Sequence, residues 1–338
     1  MRWFRSVLVA SFFILLQVGC SSPTTPTPAP PTPTPVPVPP PVAEAPSLSC
    51  RSNLATESVN ANGITVAFET PLPSNGQSPV AVACTPSSGT TFPIGSTTVT
   101  CTVTDGLSRT ASCTFDVTVR KLPQLSLTRF LAFGDSITEG EVTVPVAGAS
   151  GGLASTRQTI VPSAAYPTVL TVQLQARYPA QADSIVVANY GRGGEKAANA
   201  RNRFIEALNV VRPTAVLLME GSNDIARGED GAASTAASEI RNMAAEARLR
   251  GMRVFIATVA PGRPGLSKTI APILLLDYAN RMRAVASSEG AVLVDVYQAL
   301  LTDVNAFIGV DGLHPNERGY AKIAETFFNA IQATLEIR

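Results

Sequence analysis

Thr128-Arg129-Phe130-Leu131-Ala132-Phe133-Gly134-Asp135-Ser136 is the stretch on which the fold turns. A short apolar run closes on a glycine, an acid and a serine, the pattern of a buried strand that turns and leaves a hydroxyl at its carboxyl end. Comparable runs recur at 184–188, 215–219, 254–259 and 291–296. Helical patterns separate them. Residues 231–250 are rich in Ala, Glu and Arg, and 272–289 sets Ile273, Leu276, Met282 and Val285 near one stripe before Gly290. The last segment, 315–331, starts with Pro and places Tyr320, Ile323, Ala324, Phe327 and Ile331 on one face. Five β-α units predict a doubly wound α/β domain around a parallel five-stranded sheet, with its site at the carboxyl ends of the strands.

The chemically capable residues fall at those ends. Ser136 follows the first strand, Asn189-Tyr190-Gly191-Arg192-Gly193-Gly194 the second and Gly221-Ser222-Asn223-Asp224 the third, while Asp311 and His314 precede the last helix. His314 is the only histidine of the chain, so proton transfer by an imidazole at neutral pH falls to it. A serine hydroxyl is a poor nucleophile until a base takes its proton; His314 supplies that base, and Asp311, three residues earlier on the same loop, fixes its tautomer. Each residue also has a plainer use. Ser136 suits a helix cap, Asn223 and Asp224 suit a turn, and Gly191 and Gly193 suit loop dihedrals.

Four blocks in order decide between these uses: Phe133-Gly134-Asp135-Ser136-Ile137-Thr138-Glu139-Gly140, Asn189-x-Gly191-x-x-Gly194-Glu195, Glu220-Gly221-Ser222-Asn223-Asp224 and Asp311-Gly312-Leu313-His314-Pro315. With them, residues 126–338 resemble an SGNH (GDSL-type) hydrolase. The resemblance implies a flavodoxin-like sheet and a metal-independent serine esterase without cofactor, with Ser136, Asp311 and His314 as its triad. It implies an oxyanion hole made of the Ser136 and Gly194 N–H groups and the Asn223 amide. Gly194 is preferred to Gly193 and Gly191 because Glu195 fills the place where such enzymes usually carry Asp. Asp135 is implied to be structural, and Asp224 is read as a turn former. The family acts on lipids, acetylated polysaccharides, small esters and thioesters. No long acyl tunnel is announced here, which favours short-chain or acetyl esters, on carbohydrate or on small molecules. The alternatives are a catalytically silent adhesive or glycan-binding surface protein, and an acyltransferase or lysophospholipase on the same fold.

Gly148-Ala149-Ser150-Gly151-Gly152 also matches a nucleophile elbow, but Pro162 interrupts the helix such a motif needs. Residues 141–165 are therefore read as a Gly- and Ser-rich loop inserted beside the site, in the position of a lid.

Upstream the chain changes character. Arg2 and Arg5 precede an apolar stretch from Val7 to Leu16 that is too short for a membrane span and ends in Gln17-Val18-Gly19-Cys20. This reads as an export signal over 1–19, and its ending resembles the lipobox of bacterial lipoproteins, which implies lipidation of Cys20. Gln17 stands where the lipobox usually has Leu. Twelve of the 27 prolines lie between Ser21 and Pro46. Such a tract forms neither core nor helix and reads as a stalk (20–47); in polyproline-like extension, at about 3.1 Å per residue, 24 of its residues reach roughly 75 Å.

The remaining cysteines, Cys50, Cys84, Cys101 and Cys113, form an even cluster without metal-ligand spacing, as expected of two disulfides in an exported module. Three pairings are open. Cys101 and Cys113 are symmetric about a hairpin turn at Asp105-Gly106-Leu107-Ser108, which favours Cys101–Cys113 with Cys50–Cys84. Cys84-Thr85-Pro86-Ser87-Ser88-Gly89, then Phe92 to Cys101, Thr104-Asp105 and Cys113-Thr114-Phe115, make residues 48–122 resemble the hyalin-repeat (HYR) module. That implies a small immunoglobulin-like all-β sandwich ahead of the α/β domain at 123–338. The 26 basic and 25 acidic residues leave no basic field for nucleic acid. The expected partner is an ester substrate, small molecule or acylated polysaccharide. The membrane is met only through the lipid at Cys20, with the protein in the bacterial envelope or secreted.

Overall fold

Five parallel strands form the central sheet of the computed structural model, which describes residues 43–146 and 156–337. In spatial order they are Val186–Gly191, Arg129–Gly134, Ala215–Met219, Arg253–Ala257 and Val292–Val294. Chain order across the sheet is therefore 2-1-3-4-5, and the first strand pairs with both the second and the third. This is the doubly wound arrangement expected from the sequence. Phe130 to Phe133 and Ala215 to Met219 are buried throughout, as strands covered by helices on both faces must be. One face carries the helices Tyr166–Arg177 and Glu317–Leu335, whose Tyr166 and Phe327 rings stack at 5.0 Å. The other carries Ala197–Val211, Ala232–Leu249 and Pro272–Ser288.

Local chemistry sets the ends of these elements. The last helix begins not on Pro315 but at Glu317, because the Asn316 side chain accepts the Gly319 N–H at 3.0 Å and serves as the cap. Its face is as expected: Tyr320, Ile323, Ala324, Phe327 and Ile331 are all buried. The stripe on Pro272–Ser288 is rotated from the sequence reading. Leu275, Tyr278, Met282 and Val285 are buried, whereas Ile273 and Leu276 face outward. The second strand runs later than 184–188, since residues 179–184 form a 3₁₀ turn and Asn189-Tyr190-Gly191 belong to the strand itself.

The insertion after the first block is not a plain loop. Glu141–Pro145 and Thr156–Ile160 pair as an antiparallel hairpin, with Thr143 opposite Gln158. The Gly148–Gly152 motif lies outside the described residues. So do the export signal at 1–19, Cys20 and the proline tract as far as Val42.

The N-terminal module is β-rich. Leu54–Ser58, Thr110–Lys121, Gly95–Thr104 and Ala81–Thr85 form a four-stranded sheet, and Ile64–Val66 pairs with Thr90–Phe92 separately. Val99, Cys101 and Val103 on one strand and Phe115, Val117 and Val119 on the next alternate inward, and Phe68 packs edge-on against Phe115 at 5.1 Å.

The disulfides are Cys84–Cys101 and Cys50–Cys113, not the expected Cys50–Cys84 and Cys101–Cys113. The hairpin register itself is as read, with Cys101 opposite Cys113, but Cys101 is also opposite Cys84 on its other side. A residue in an inner antiparallel strand directs both its N–H and its C=O to one neighbour, which leaves a close, non-hydrogen-bonded approach to the other. The Cα atoms of Cys84 and Cys101 are 4.0 Å apart, so the bond forms on that side, and Cys113 reaches Cys50 instead.

Candidate active site

The first strand ends in a confined place. A Cβ on Gly134 would stand 2.1 Å from the Met219 carbonyl oxygen and from Thr138 Oγ1, so only glycine lets the chain turn there. Asp135, not Ser136, caps the short helix Ser136–Glu139: its carboxyl accepts the Ile137 N–H at 3.0 Å and the Ser222 hydroxyl. Burial raises the Asp135 pKa despite those two donors. Ser136 is thereby left with its hydroxyl directed at His314, Oγ to Nε2 2.9 Å, although the two are 178 residues apart in sequence.

His314 sits on a loop held from several sides. Gly309 N–H donates to the His314 carbonyl, and Ile308 bridges Pro315. The Lys268 N–H binds the Asp311 carbonyl at 2.8 Å, and the Arg263 N–H binds that of Gly312 at 2.9 Å. Within this frame Asp311 Oδ2 is 2.6 Å from His314 Nδ1, while Oδ1 accepts the Leu313 and His314 N–H groups at 3.0 Å each. Burial works to raise the Asp311 pKa, but the His314 hydrogen bond and these N–H donors outweigh it and hold the carboxyl below its usual value. A carboxylate can only accept, so Nδ1 carries the imidazole hydrogen and Nε2 presents its lone pair to the serine hydroxyl. The arrangement can take a proton from Ser136.

The second and third blocks close around the same point. Glu139 Oε2 accepts the Gly193 N–H at 2.6 Å and so ties the second block to the first. The neighbouring Gly194 N–H and the Ser136 N–H have no acceptor among the described residues. Gly194, in the left-handed region at φ +73°, has open space before it. Asn223 donates from Nδ2 to the Glu195 carbonyl at 2.9 Å, which leaves the second hydrogen of its amide for the cleft it lines. Asp224 is no mere turn former: its two oxygens take the Ala197 and Ala198 N–H groups and cap the helix Ala197–Val211 from a distance. Arg203 pairs with Glu195, donates to the Tyr190 and Gly134 carbonyls, and lies 4.0 Å over the Phe133 ring.

An open cleft of about 380 Å³ joins these groups, lined by Ser136, Gly194, Asn223 and His314 among others. Residues 132–322, more than half of the sequence, match the GDSL-like lipase/acylhydrolase family. The chain belongs to that family. Residues 43–119 of this GDSL-like hydrolase match the HYR domain. Among solved structures it is similar to the lipase/acylhydrolase from Enterococcus faecalis, with a TM-score of 0.51 and 18% identity over 62% of this chain and 97% of that one. LAE5, an alpha/beta hydrolase enzyme from the metagenome of Lake Arreo, Spain, gives a TM-score of 0.48 and 22% identity over 60% and 94%. Axe2, an acetylxylan esterase from Geobacillus stearothermophilus, gives 0.46 and 20% over 61% and 94%. At 18% identity the likeness to the first of these concerns the fold. No curated protein matches the chain.

Two acids of the GDSL-like hydrolase have surroundings that the sequence does not announce. Glu220, the first residue of the third block, is buried with both carboxyl oxygens unpartnered, and burial, helped by the nearby Asp135 and Glu195, raises its pKa well above the usual value. Glu141 lines the cleft, its Oε1 3.7 Å from His314 Nε2. Neither stands out in sequence: one follows an apolar strand and the other only begins the hairpin.

Proposed function

We propose that this hydrolase is a serine esterase that cleaves carboxylic esters through an acyl-enzyme on Ser136. The observation that carries the reading is the continuous chain of contacts from Ser136 Oγ to His314 Nε2 at 2.9 Å and from Nδ1 to Asp311 at 2.6 Å. As Oγ attacks the ester carbonyl, its proton passes to Nε2 and the Oγ–C bond forms. Asp311 stabilises the resulting imidazolium. The carbonyl oxygen becomes an oxyanion that the Ser136 and Gly194 N–H groups and the Asn223 amide receive, and each such donor lowers a barrier of this kind by about 3 kcal/mol. Collapse breaks the bond to the alcohol oxygen, which takes the proton back from Nε2. Water then gives a proton to Nε2 as its oxygen bonds the acyl carbon; the Oγ–C bond breaks, Ser136 Oγ takes the proton back from His314, and the acid is released.

Short acyl groups, acetyl above all, suit the cleft, whose lining includes Gln158, Ser267, Lys268 and Thr269. We place the protein outside the cytoplasm, with residues 1–19 removed on export, Cys20 lipidated, 20–47 as a stalk, 48–122 as the HYR-like module and 123–338 as the esterase. The basic and apolar start of the chain, its proline tract and the two disulfides support that layout.

Hydrolysis of p-nitrophenyl esters from acetate to palmitate, by the wild type and Ser136→Ala, tests the reading. Turnover concentrated on the shortest chains and lost in the variant is expected. Equal turnover in both proteins would remove Ser136 as nucleophile, and a preference for palmitate would overturn the short-chain assignment.

A further inference from the structure

The triad and oxyanion donors account for the acyl side of an ester and leave the alcohol side unread. One acidic residue of the cleft has no part in either set. Glu141 begins the hairpin inserted after the first block, and its carboxyl lies between the base and the second block: Oε1 lies 3.7 Å from His314 Nε2, and Oε2 lies 3.7 Å from where a Cβ on Gly193 would stand. Oε1 is buried, yet no group of the described protein donates to it. Its place is fixed from behind, since the Tyr320 hydroxyl on the last helix donates to the Glu141 carbonyl at 2.5 Å and the Val161 N–H holds the preceding Gly140 carbonyl.

A buried acceptor beside the proton-carrying nitrogen of the base stands where the leaving alcohol must pass, because Nε2 returns its proton to that oxygen. We infer that Glu141 accepts a hydrogen bond from a hydroxyl neighbouring the ester on the substrate's alcohol, and so selects acylated polyols such as partly acetylated sugars. The inference rests on the esterase reading and adds the class of alcohol. Lys268, a cation, lines the same cleft, which favours a neutral hydroxyl over an ammonium as the donor. Gln158, from the facing strand of the same hairpin, supplies a second polar group to that wall. A site built to bind a hydroxyl discriminates against the analogue that lacks it, because the protein group is then left buried and unpaired.

The test compares two ring acetates that share the acyl group: methyl 3-O-acetyl-β-xylopyranoside, with free hydroxyls beside the ester, and cyclohexyl acetate, with none. The readout is the ratio of their kcat/KM values for the wild type, Glu141→Ala and Glu141→Leu. Leu keeps bulk but removes the acceptor, and active sites are counted by reaction with a fluorophosphonate. In either folded variant the ratio is expected to fall by at least about fivefold. A smaller change overturns the inference. A wild type that cleaves p-nitrophenyl acetate but neither ring acetate overturns the polyol assignment alone. One that cleaves none of the three removes the esterase reading beneath it as well.

Discussion

Replacing Asp311 by Asn changes one atom and, on the geometry above, the wrong proton. In the native loop Oδ1 takes the Leu313 and His314 N–H groups and Oδ2 takes Nδ1–H. The new side chain has two orientations. If its amide nitrogen faced the two backbone donors, both bonds would be lost, at about 1 kcal/mol each, and two buried N–H groups would be left unsatisfied at roughly 1–3 kcal/mol apiece. The oxygen therefore stays with the backbone, and the NH₂ faces His314. There it donates to Nδ1, which moves the imidazole hydrogen to Nε2. Nε2 then donates to Ser136 Oγ at the moment it is needed as an acceptor. A wrong tautomer in a triad of this type lowers kcat by about 10⁴, equivalent to about 5 kcal/mol of barrier. The assay is steady-state hydrolysis of p-nitrophenyl acetate, with a thermal melt to show that the loop still folds. A folded Asp311→Asn enzyme within tenfold of wild-type kcat would refute the argument.

Glu220→Gln tests the buried acid. Its folded pKa is raised, so the native state holds a proton that the unfolded chain releases above about 4.3. The stability this acid contributes is complete below that pH and is lost as pH rises through the folded value. Melts of the two proteins from pH 4 to pH 9 should show Glu220→Gln gaining on the wild type as pH rises; parallel curves would contradict the assignment. Asp224→Ala removes the acceptor of two helix N-terminal N–H groups and should cost about 1–2 kcal/mol in a urea melt, whereas a loss under 0.5 kcal/mol on the same roughly calibrated scale would make the cap incidental. Proteolysis without reduction should release Cys84 joined to Cys101 and Cys50 joined to Cys113; a Cys101–Cys113 peptide would overturn the pairing found here.

What the sequence made legible is what strand periodicity and strand ends carry. The run before Gly134 had to be a buried strand, and a serine after it had to stand at the carboxyl edge, where Asp311 and His314 also arrive. Groups that act only through tertiary contact left no such trace. Glu139 looks like an ordinary helical acid until Gly193 is folded onto it, and Arg203 gives no sign of its grip on Glu195 and the Gly134 carbonyl. Periodicity alone also misread Pro272–Ser288, because Ile273 and Leu276 are as apolar as the buried Leu275 and only packing against the sheet chooses the face. The cysteine pairing was undetermined for a geometric reason: Cys101 has a cysteine opposite on both sides, and register does not say which approach is close.

Activation of Ser136 by His314 is tested most directly by covalent trapping. Intact-mass and peptide mass spectrometry after treatment with diisopropyl fluorophosphate should show one diisopropylphosphoryl adduct, on Ser136, formed rapidly with loss of fluoride in the wild type and at least about a hundredfold more slowly in a folded His314→Ala protein. An adduct on another residue, or an equal rate without the imidazole, would contradict the account.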